Sequence, residues 1–422
     1  MVRRLVIALL LLGSGCPSGP ARAQLTGVDG CGEWSTEPIP TRAGFPVIGI
    51  NELDGDGADE VWAVGTARET PDGGSASVPY LIRLVDGEWQ SVDPPERAEL
   101  TPRQIEFHGG RVWLGASYRD VSGFWRPVIF HRAYGAASWT PLELGRSPDP
   151  LPEIGQDLAA ETGSAGEQTP VSRRLGSMKV FAEDDIWFTV SVGDDFGLLP
   201  AASRWDGEAV DDFMLPAGNG DSDISVLDLD GVSTDDLWVV GSSSSQSITV
   251  ISPYVVRWNG SDWSTVGGVP GGSGGLAWYS GVYARMTDDV VLVGRDFDSG
   301  GILSGLGARW DGAGFVNDPP VLPANAITPL DSVGAVVTWG NLGGSSRAAQ
   351  GAPWQSEPNP PDLDGAEGRI FEILATGPCA LWAAVSWSIE QPPPVIYRLE
   401  ASRIFSDGFE SGDTSAWSLE VR

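Results

Sequence analysis

The densest run of potential ligand side chains is Glu52-Leu-Asp54-Gly-Asp56-Gly57-Ala-Asp59-Glu60. Carboxylates at alternate positions can converge on one hard cation, and Gly57 permits a sharp turn, so calcium is the metal such a run would hold. Asp228-Leu-Asp230-Gly is a shorter echo of it. Catalytic side chains are otherwise sparse. His108 and His131 are the only histidines and Lys179 is the sole lysine, too little for a Schiff-base argument. The chain contains no His-Glu-x-x-His, nucleophile elbow, phosphate loop or Cys-x-x-Cys. What remains for catalysis is carboxylate chemistry, for which 57 Asp and Glu leave ample material.

Those acids face only 26 Lys and Arg, a net charge of −31 over 422 residues. A surface so negative repels phosphate, which argues against nucleic acid and against an electrostatic hold on anionic lipid. Gly (56) and Pro (32) together make up about a fifth of the chain, too much punctuation for long helices. With 41% hydrophobic residues and 18 Trp the chain is still rich enough to build a core.

The elements that would position any site come from an internal repeat. An acidic turn followed by an apolar strand carrying Trp and usually ending in Gly recurs as Asp59-Glu-Val-Trp62-Ala-Val-Gly65, Gly110-Arg-Val-Trp113-Leu-Gly115, Asp184-Asp-Ile-Trp187-Phe-Thr-Val190 and Asp235-Asp-Leu-Trp238-Val-Val-Gly241. Asp288-Asp-Val-Val291-Leu-Val-Gly294 keeps the phrase without Trp. Weaker copies centre on Val337 and Trp382. Each phrase is preceded by an apolar stretch and followed by a hairpin of the Tyr254-Val-Val-Arg-Trp-Asn-Gly-Ser-Asp-Trp263 kind, whose Asn-Gly or Asp-Gly needs positive φ. Four strands per unit of roughly 50 residues are the dimensions of a β-propeller blade. Seven phrases predict an all-β, seven-bladed propeller of four-stranded antiparallel blades over residues 24–403. An insertion at 145–176 between blades 2 and 3 accounts for the single long spacing. The Trp34 strand reads as an orphan fourth strand that completes the last blade and closes the ring; Ser415–Val421 is the competing closer. His131 holds the third-strand place of Trp205, Trp258 and Trp310, which makes it a packing residue. The recurring acidic pairs read as turn chemistry, with Asp accepting nearby backbone N–H groups.

The phrase resembles the kelch or galactose-oxidase-like propellers, and resembles more closely secreted bacterial proteins of uncharacterised function built on an Asp-Asp-x-Trp-x-Val-Gly … Trp-Asp-Gly-x-x-Trp repeat. The resemblance covers roughly residues 30 to 400. The acidic run is similar to the calcium loops of integrin-type propeller repeats. That likeness implies Glu52, Asp54 and Asp56 as ligands of a structural calcium, with Glu60 closing the set and Ala58 offering its carbonyl; no cofactor is required. Residues 404–422, with Asp407-Gly-Phe-Glu-Ser-Gly-Asp-Thr-Ser-Ala-Trp417, resemble a tail carried by many exported bacterial proteins.

The ends fix an expected compartment. Arg3 and Arg4, the apolar run Leu5–Leu12 and Ala21-Arg-Ala23 make 1–23 a signal peptide, too short in its apolar part to span a bilayer. Its loss takes the net charge to −34, since the segment holds Arg3, Arg4 and Arg22 and no acid. An extracellular or periplasmic protein follows, with lipoprotein anchoring at Cys16 as the alternative. Cys31 and Cys379, the two cysteines left after cleavage, would form a disulfide within one blade.

In such a fold the loops between second and third strands, and those joining one blade to the next, share a face. Here they are the variable ones, and they carry Tyr118, Phe124, Trp125, Phe196, Phe297 and Trp387. The expected function is a non-catalytic binding or interaction module, a monomer using that face for a glycan, a peptide or an envelope protein. The alternative is a carboxylate-based glycoside hydrolase or polysaccharide lyase with its site at the channel mouth.

Overall fold

The computed structural model describes residues 33–400 apart from 43–44, 58–59, 69–76, 143, 145–171, 195–196, 218–221, 246–249, 273–274, 331–334, 341–342, 358, 361–368, 378 and 387–393. The signal peptide, Cys16, Cys31, most of the 145–176 insertion and the C-terminal tail with its competing closer therefore lie outside the described residues.

Among the described residues there is no helix, only strands. β1 (Trp34–Glu37) precedes a succession of antiparallel meanders. These are β2 (Val47–Gly55), β3 (Val61–Arg68), β4 (Ser77–Val85) and β5 (Glu88–Ser91), then β6 (Thr101–His108), β7 (Arg111–Arg119), β8 (Trp125–Ala133) and β9 (Thr140–Leu142). Next come β10 (Ser172–Ala182), β11 (Asp185–Asp194), β12 (Gly197–Trp205) and β13 (Val210–Met214). β14 (Ser222–Ser233), β15 (Asp236–Ser245), β16 (Ile251–Trp258) and β17 (Trp263–Thr265) share an eight-stranded sheet with β18 (Leu276–Met286), β19 (Asp289–Phe297), β20 (Leu303–Trp310) and β21 (Phe315–Asn317). The two halves of that sheet meet through a single parallel pairing, Ile251 with Leu276. β22 (Ala326–Pro329), β23 (Val336–Gly340), β24 (Gly343–Arg347) and β25 (Gln355–Glu357) form a shorter sheet. β26 (Arg369–Gly377), β27 (Ala380–Ser386) and β28 (Val395–Glu400) are joined by β1, with Trp34 opposite Leu399.

The repeated Trp has a packing reason. Trp62, Trp113, Trp187, Trp238 and Trp382 are all but fully buried, and each leaves its own sheet to join the core of the next. Trp62 packs with β6–β8, Trp113 with β10–β13, Trp187 with β14–β17, Trp238 with β18–β20 and Trp382 with β2–β5. An aromatic from the receiving sheet's fourth strand meets each edge-on in several of these: Trp89 on Trp382 at 5.7 Å, Trp263 on Trp187 at 6.0 Å, Phe315 on Trp238 at 5.9 Å. Trp34 meets Trp339 in the same way at 5.2 Å. Where Val291 replaces Trp, the cluster shrinks to Val291, Val293 and Ala324, with Ile327 and Trp354 at its margin. That junction is polar instead. Arg347 is 1% exposed, pairs with Asp318, and lies over Trp354 at 5.1 Å.

The glycine ending the phrase is required by a close approach. The first strand bulges at Ile50/Glu52, Val226/Asp228 and Tyr279/Gly281. A Cβ on Gly65, Gly241 or Gly294 would collide there with the carbonyl oxygen of Gly49, Ser225 or Trp278.

The hairpin turns use Asp and Asn as expected: Asp206 Oδ1 accepts from Glu208 and Ala209 N–H, Asn259 Oδ1 from Ser261 and Asp262, Asp311 Oδ1 from Ala313 and Gly314. The acidic pairs depart from expectation at their second member. Asp185 and Asp236 instead receive Arg204 and Arg257 of the third strand at 2.9 and 2.7 Å, and those guanidinium groups lie over Trp187 and Trp238. His131 is one register from its expected place. It stands opposite Trp113, where the other units put Arg83, Arg204, Arg257 and Arg398, and its ring lies 5.0 Å from that indole. It packs in place of an arginine, not in place of a tryptophan.

Candidate functional site

Two groups of side chains stand out, one at the loop edge of the sheets and one along their first strands. At the loop edge, the β7–β8 hairpin is held by Asp120. Its N–H donates to the Phe124 carbonyl at 2.9 Å, while Oδ1 accepts from Ser122 and Phe124 N–H and Oδ2 from Arg126 Nε. Asp298 builds the same turn between β19 and β20, so acidic turn chemistry occurs on this side of the sheets as well.

The rigid hairpin presents Phe124 and Trp125. Trp125 is half-buried; its backbone N–H donates to Ser172 Oγ at 3.2 Å, which ties β8 to the first strand of the next sheet. The guanidinium carbons of Arg119 and Arg174 lie 5.4 and 5.0 Å from its ring centre. Arg103 lies at the bulge of β6, and the charge of Arg174 contributes to lowering its pKa. Tyr118 carries Arg97 at 3.9 Å. Phe297 lies on another sheet, stacked on Trp278 at 5.8 Å, and Phe196 and Trp387 lie outside the described residues. The structure thus brings Tyr118, Phe124 and Trp125 to one hairpin and leaves Phe297 apart.

Along the first strands, one position in each unit faces the repeated Trp, and in four successive units it is ionisable: Asp54, Glu106, Lys179 and Asp230. These side chains link neighbours. Asp54 Oδ2 accepts from Phe107 N–H at 2.7 Å, Glu106 Oε2 from Val180 N–H at 2.9 Å and Asp230 Oδ2 from Ala284 N–H at 2.8 Å. Lys179 Nζ lies 2.9 Å from Asp230 and 3.8 Å from Glu106. Thr328 plays the same part with Ala375 N–H.

Two residues earlier stand Glu52, Asp228 and Glu372. Burial pushes the Glu52 carboxyl well above the usual carboxylate range, and the charges of Glu372, Asp228, Asp54 and Glu106 push it further. Burial likewise raises Glu372 and Glu106 to about 8, Asp228 to about 7 and Asp54 to about 6. Acids from β2, β6, β14 and β26 therefore lie near enough to oppose one another's ionisation.

The expected calcium set is divided by this arrangement. Asp54 is engaged by Gly55 and Phe107 N–H. Glu60 accepts from Trp62 Nε1 at 2.8 Å and Tyr134 OH at 2.9 Å, Asp56 is exposed, and Glu52 belongs to the first-strand acids. Among the described residues no group of three or more His, Cys, Asp or Glu is placed to hold a metal ion. Sequence reasoning missed Lys179 and its partners, although the signal was present. Asp54, Glu106, Lys179 and Asp230 each precede their unit's Trp by seven or eight residues, and the Asp228-Leu-Asp230 echo is the same column as Glu52-Leu-Asp54.

No family model matches the chain, and no curated protein matches it. Among solved structures it is similar to the extracellular domain of a hybrid two-component system from B. thetaiotaomicron, at 10% identity and TM-score 0.49 over 86% of this chain and 39% of that one. It is also similar to a Trypanosoma rangeli sialidase in complex with sialic acid, at 12% identity and TM-score 0.44 over 91% and 59%. A third is the computationally designed Ika8 protein, at 10% identity and TM-score 0.45 over 86% and 100%. The chain spans about two fifths of the length of the B. thetaiotaomicron domain. No helix among the described residues is long and apolar enough to cross a membrane.

Proposed function

We propose that the chain is an exported seven-bladed β-propeller that acts as a binding module, with the loops beside Trp125 as its contact surface. Taking the eight-stranded sheet as two meanders joined at one pairing gives seven units. The first strands touch in succession: β2 with β6, β6 with β10, β10 with β14, β14 with β18, β18 with β22, β22 with β26, and β26 with β2. The pairing of β1 with β28 and the seating of Trp382 against β2–β5 support a closed ring. A disulfide between Cys31 and Cys379 would staple the same unit. Mass analysis of the mature protein under non-reducing conditions should show one intramolecular bridge; two free thiols would remove that element.

The observation that carries the binding reading is Trp125, held on a hairpin by Asp120 with an arginine on each of two adjoining strands turned to its ring. Loops on a rigid scaffold are where recognition concentrates, and a fixed aromatic loses little entropy on binding. Screening mature protein against glycans, polysaccharides and peptides, scored for both retention and product release, tests this. Retention without turnover, weakened at least tenfold by Trp125→Ala, is the expected outcome. Product release would favour instead a carboxylate-based glycoside hydrolase or lyase. That reading has one specific support: Glu52 and Glu372, which hinder each other's ionisation, include a group kept protonated near neutral pH, as a general acid must be.

A further inference from the structure

Side chains fasten each first strand to the next unit, and the fastenings fall mainly at two places. One is the position facing the repeated Trp or its counterpart. From it Asp54, Glu106 and Asp230 accept from Phe107, Val180 and Ala284 N–H, Thr328 accepts from Ala375 N–H, and Lys179 pairs with Asp230. The other is the bulge, with Asn325, just ahead of β22, as its counterpart in that unit. There a polar side chain donates to one main-chain carbonyl of the unit that follows: Asn51 Nδ2 to Pro102 at 2.9 Å, Ser280 Oγ to Ala324 at 2.7 Å and Asn325 Nδ2 to Ile370 at 2.6 Å.

β26 departs from both patterns. Leu374 stands opposite Trp382, and Phe371 fills the bulge between Ile370 and Glu372, so neither place offers a polar side chain to β2. The Gly55 N–H, which matches those of Phe107, Val180, Ala284 and Ala375 in register, turns back to its own Asp54 Oδ1 at 2.8 Å. Among the described residues no hydrogen bond or ion pair joins β26 to β2. Ile50 N–H does reach Ser386 Oγ at 3.3 Å, but that residue ends β27. What holds β26 against β2 is apolar packing, with Leu374 at the margin of the cluster that receives Trp382. Apolar contact is non-directional and resists sliding far less than a hydrogen bond of fixed geometry does.

We propose that the junction of β26 with β2 is the opening point of the ring, where the two strands slide and part while the other junctions stay fastened. This rests on the reading of the units as a closed ring and says where that ring gives. Parting would admit solvent, and a ligand small enough to follow it, to Glu52 and Glu372. These acids hold the same place on the two strands, each directly after the bulge.

Hydrogen exchange of the mature protein, read by mass spectrometry of its peptides, tests this. Peptides from β2 and β26 should exchange about tenfold faster than those from β6, β10, β14 and β18, since a local opening lies below the global one in free energy. Phe371→Asn copies Asn51 and gives the Ile50 carbonyl, the counterpart of Pro102, Ala324 and Ile370, a donor. Phe371 is 46% exposed, so the change empties no core. It should slow exchange in β2 and β26 about fivefold, the weight of one net hydrogen bond, and leave the other first strands as they were. Phe371→Ala, which removes the aromatic without adding a donor, should not slow them. Exchange in β2 and β26 no faster than in the other first strands would overturn the opening point, as would a Phe371→Asn variant that behaves like Phe371→Ala. Amides of β1 and β28 that lack protection from the outset would instead remove the closed ring on which it rests.

Discussion

Replacing Trp382 by alanine is expected to lower the unfolding free energy by about 3–5 kcal/mol, the usual cost of emptying a buried aromatic site. The side chain is fully buried, Arg398 lies 4.6 Å over its ring, and Trp89 meets its edge across the junction with β2–β5. Because Trp89 and Trp382 stand 293 residues apart in sequence, on the first and last sheets, the loss falls on the union of those two sheets. Val291→Ala makes the comparison. It removes less volume from a junction whose apolar cluster is the smallest, and should cost about 1–2 kcal/mol. Urea denaturation of both variants, followed by tryptophan fluorescence, checks the pair. A Trp382 variant no less stable than the Val291 variant would contradict the proposed closure of the ring.

The second large effect is in pH. Glu372 and Glu106, raised to about 8, Asp228 to about 7 and Asp54 to about 6, bind protons more tightly folded than unfolded. Each raised carboxyl therefore costs nothing at acid pH. It destabilises progressively as the pH rises from the ordinary carboxylate range near 4.5 through its folded value. Stability should decline between about pH 4.5 and 8. Glu372→Gln, which keeps the shape and removes the titration, should leave stability at pH 4.5 nearly unchanged and raise it at pH 8.5. A gain of about 1–3 kcal/mol allows for the partial access of water to this side chain. Surface repulsion in so acidic a protein has the same sign, but 0.5 M salt screens it far more than it screens groups withdrawn from solvent. Melting profiles of both proteins at that salt should converge at low pH and separate at high pH. Parallel profiles would mean that Glu372 ionises as freely as a surface acid.

The strand phrases were legible because their causes are local. Asp-Gly and Asn-Gly turns, alternating apolar residues and a strand phrase, most often with Trp, that recurs every 45 to 53 residues apart from one longer spacing, each leave a mark within a few positions. The orphan Trp34 strand could be recognised by what it lacked, and it pairs with β28. The first-strand cluster was hard to read for the opposite reason. Lys179 has an unremarkable neighbourhood in sequence, and its meaning comes from Glu106 and Asp230, 73 residues before and 51 after. Glu52 and Asp54 were read as a local loop because they alternate, whereas alternation along β2 only records which residues share a face. His131 shows the limit of counting. One residue of register decides whether it stands for Trp or for Arg, and only the pairing with Trp113 fixes it.

The union of β1 with β28 sets an order of events. Ser35 and its partner Arg398 are separated by 363 residues, so the first strand of the domain has no mate until almost the whole chain has been delivered. Such long-range pairing is slow to form, and until it does β28 offers a bare row of N–H and C=O groups to any strand nearby. A polypeptide cut short before residue 395 would leave β1 without its mate, and one that lost its first forty residues would leave β28 paired on one side only, with β27. Loss of either strand thus opens an edge on which a strand from a neighbouring molecule can pair.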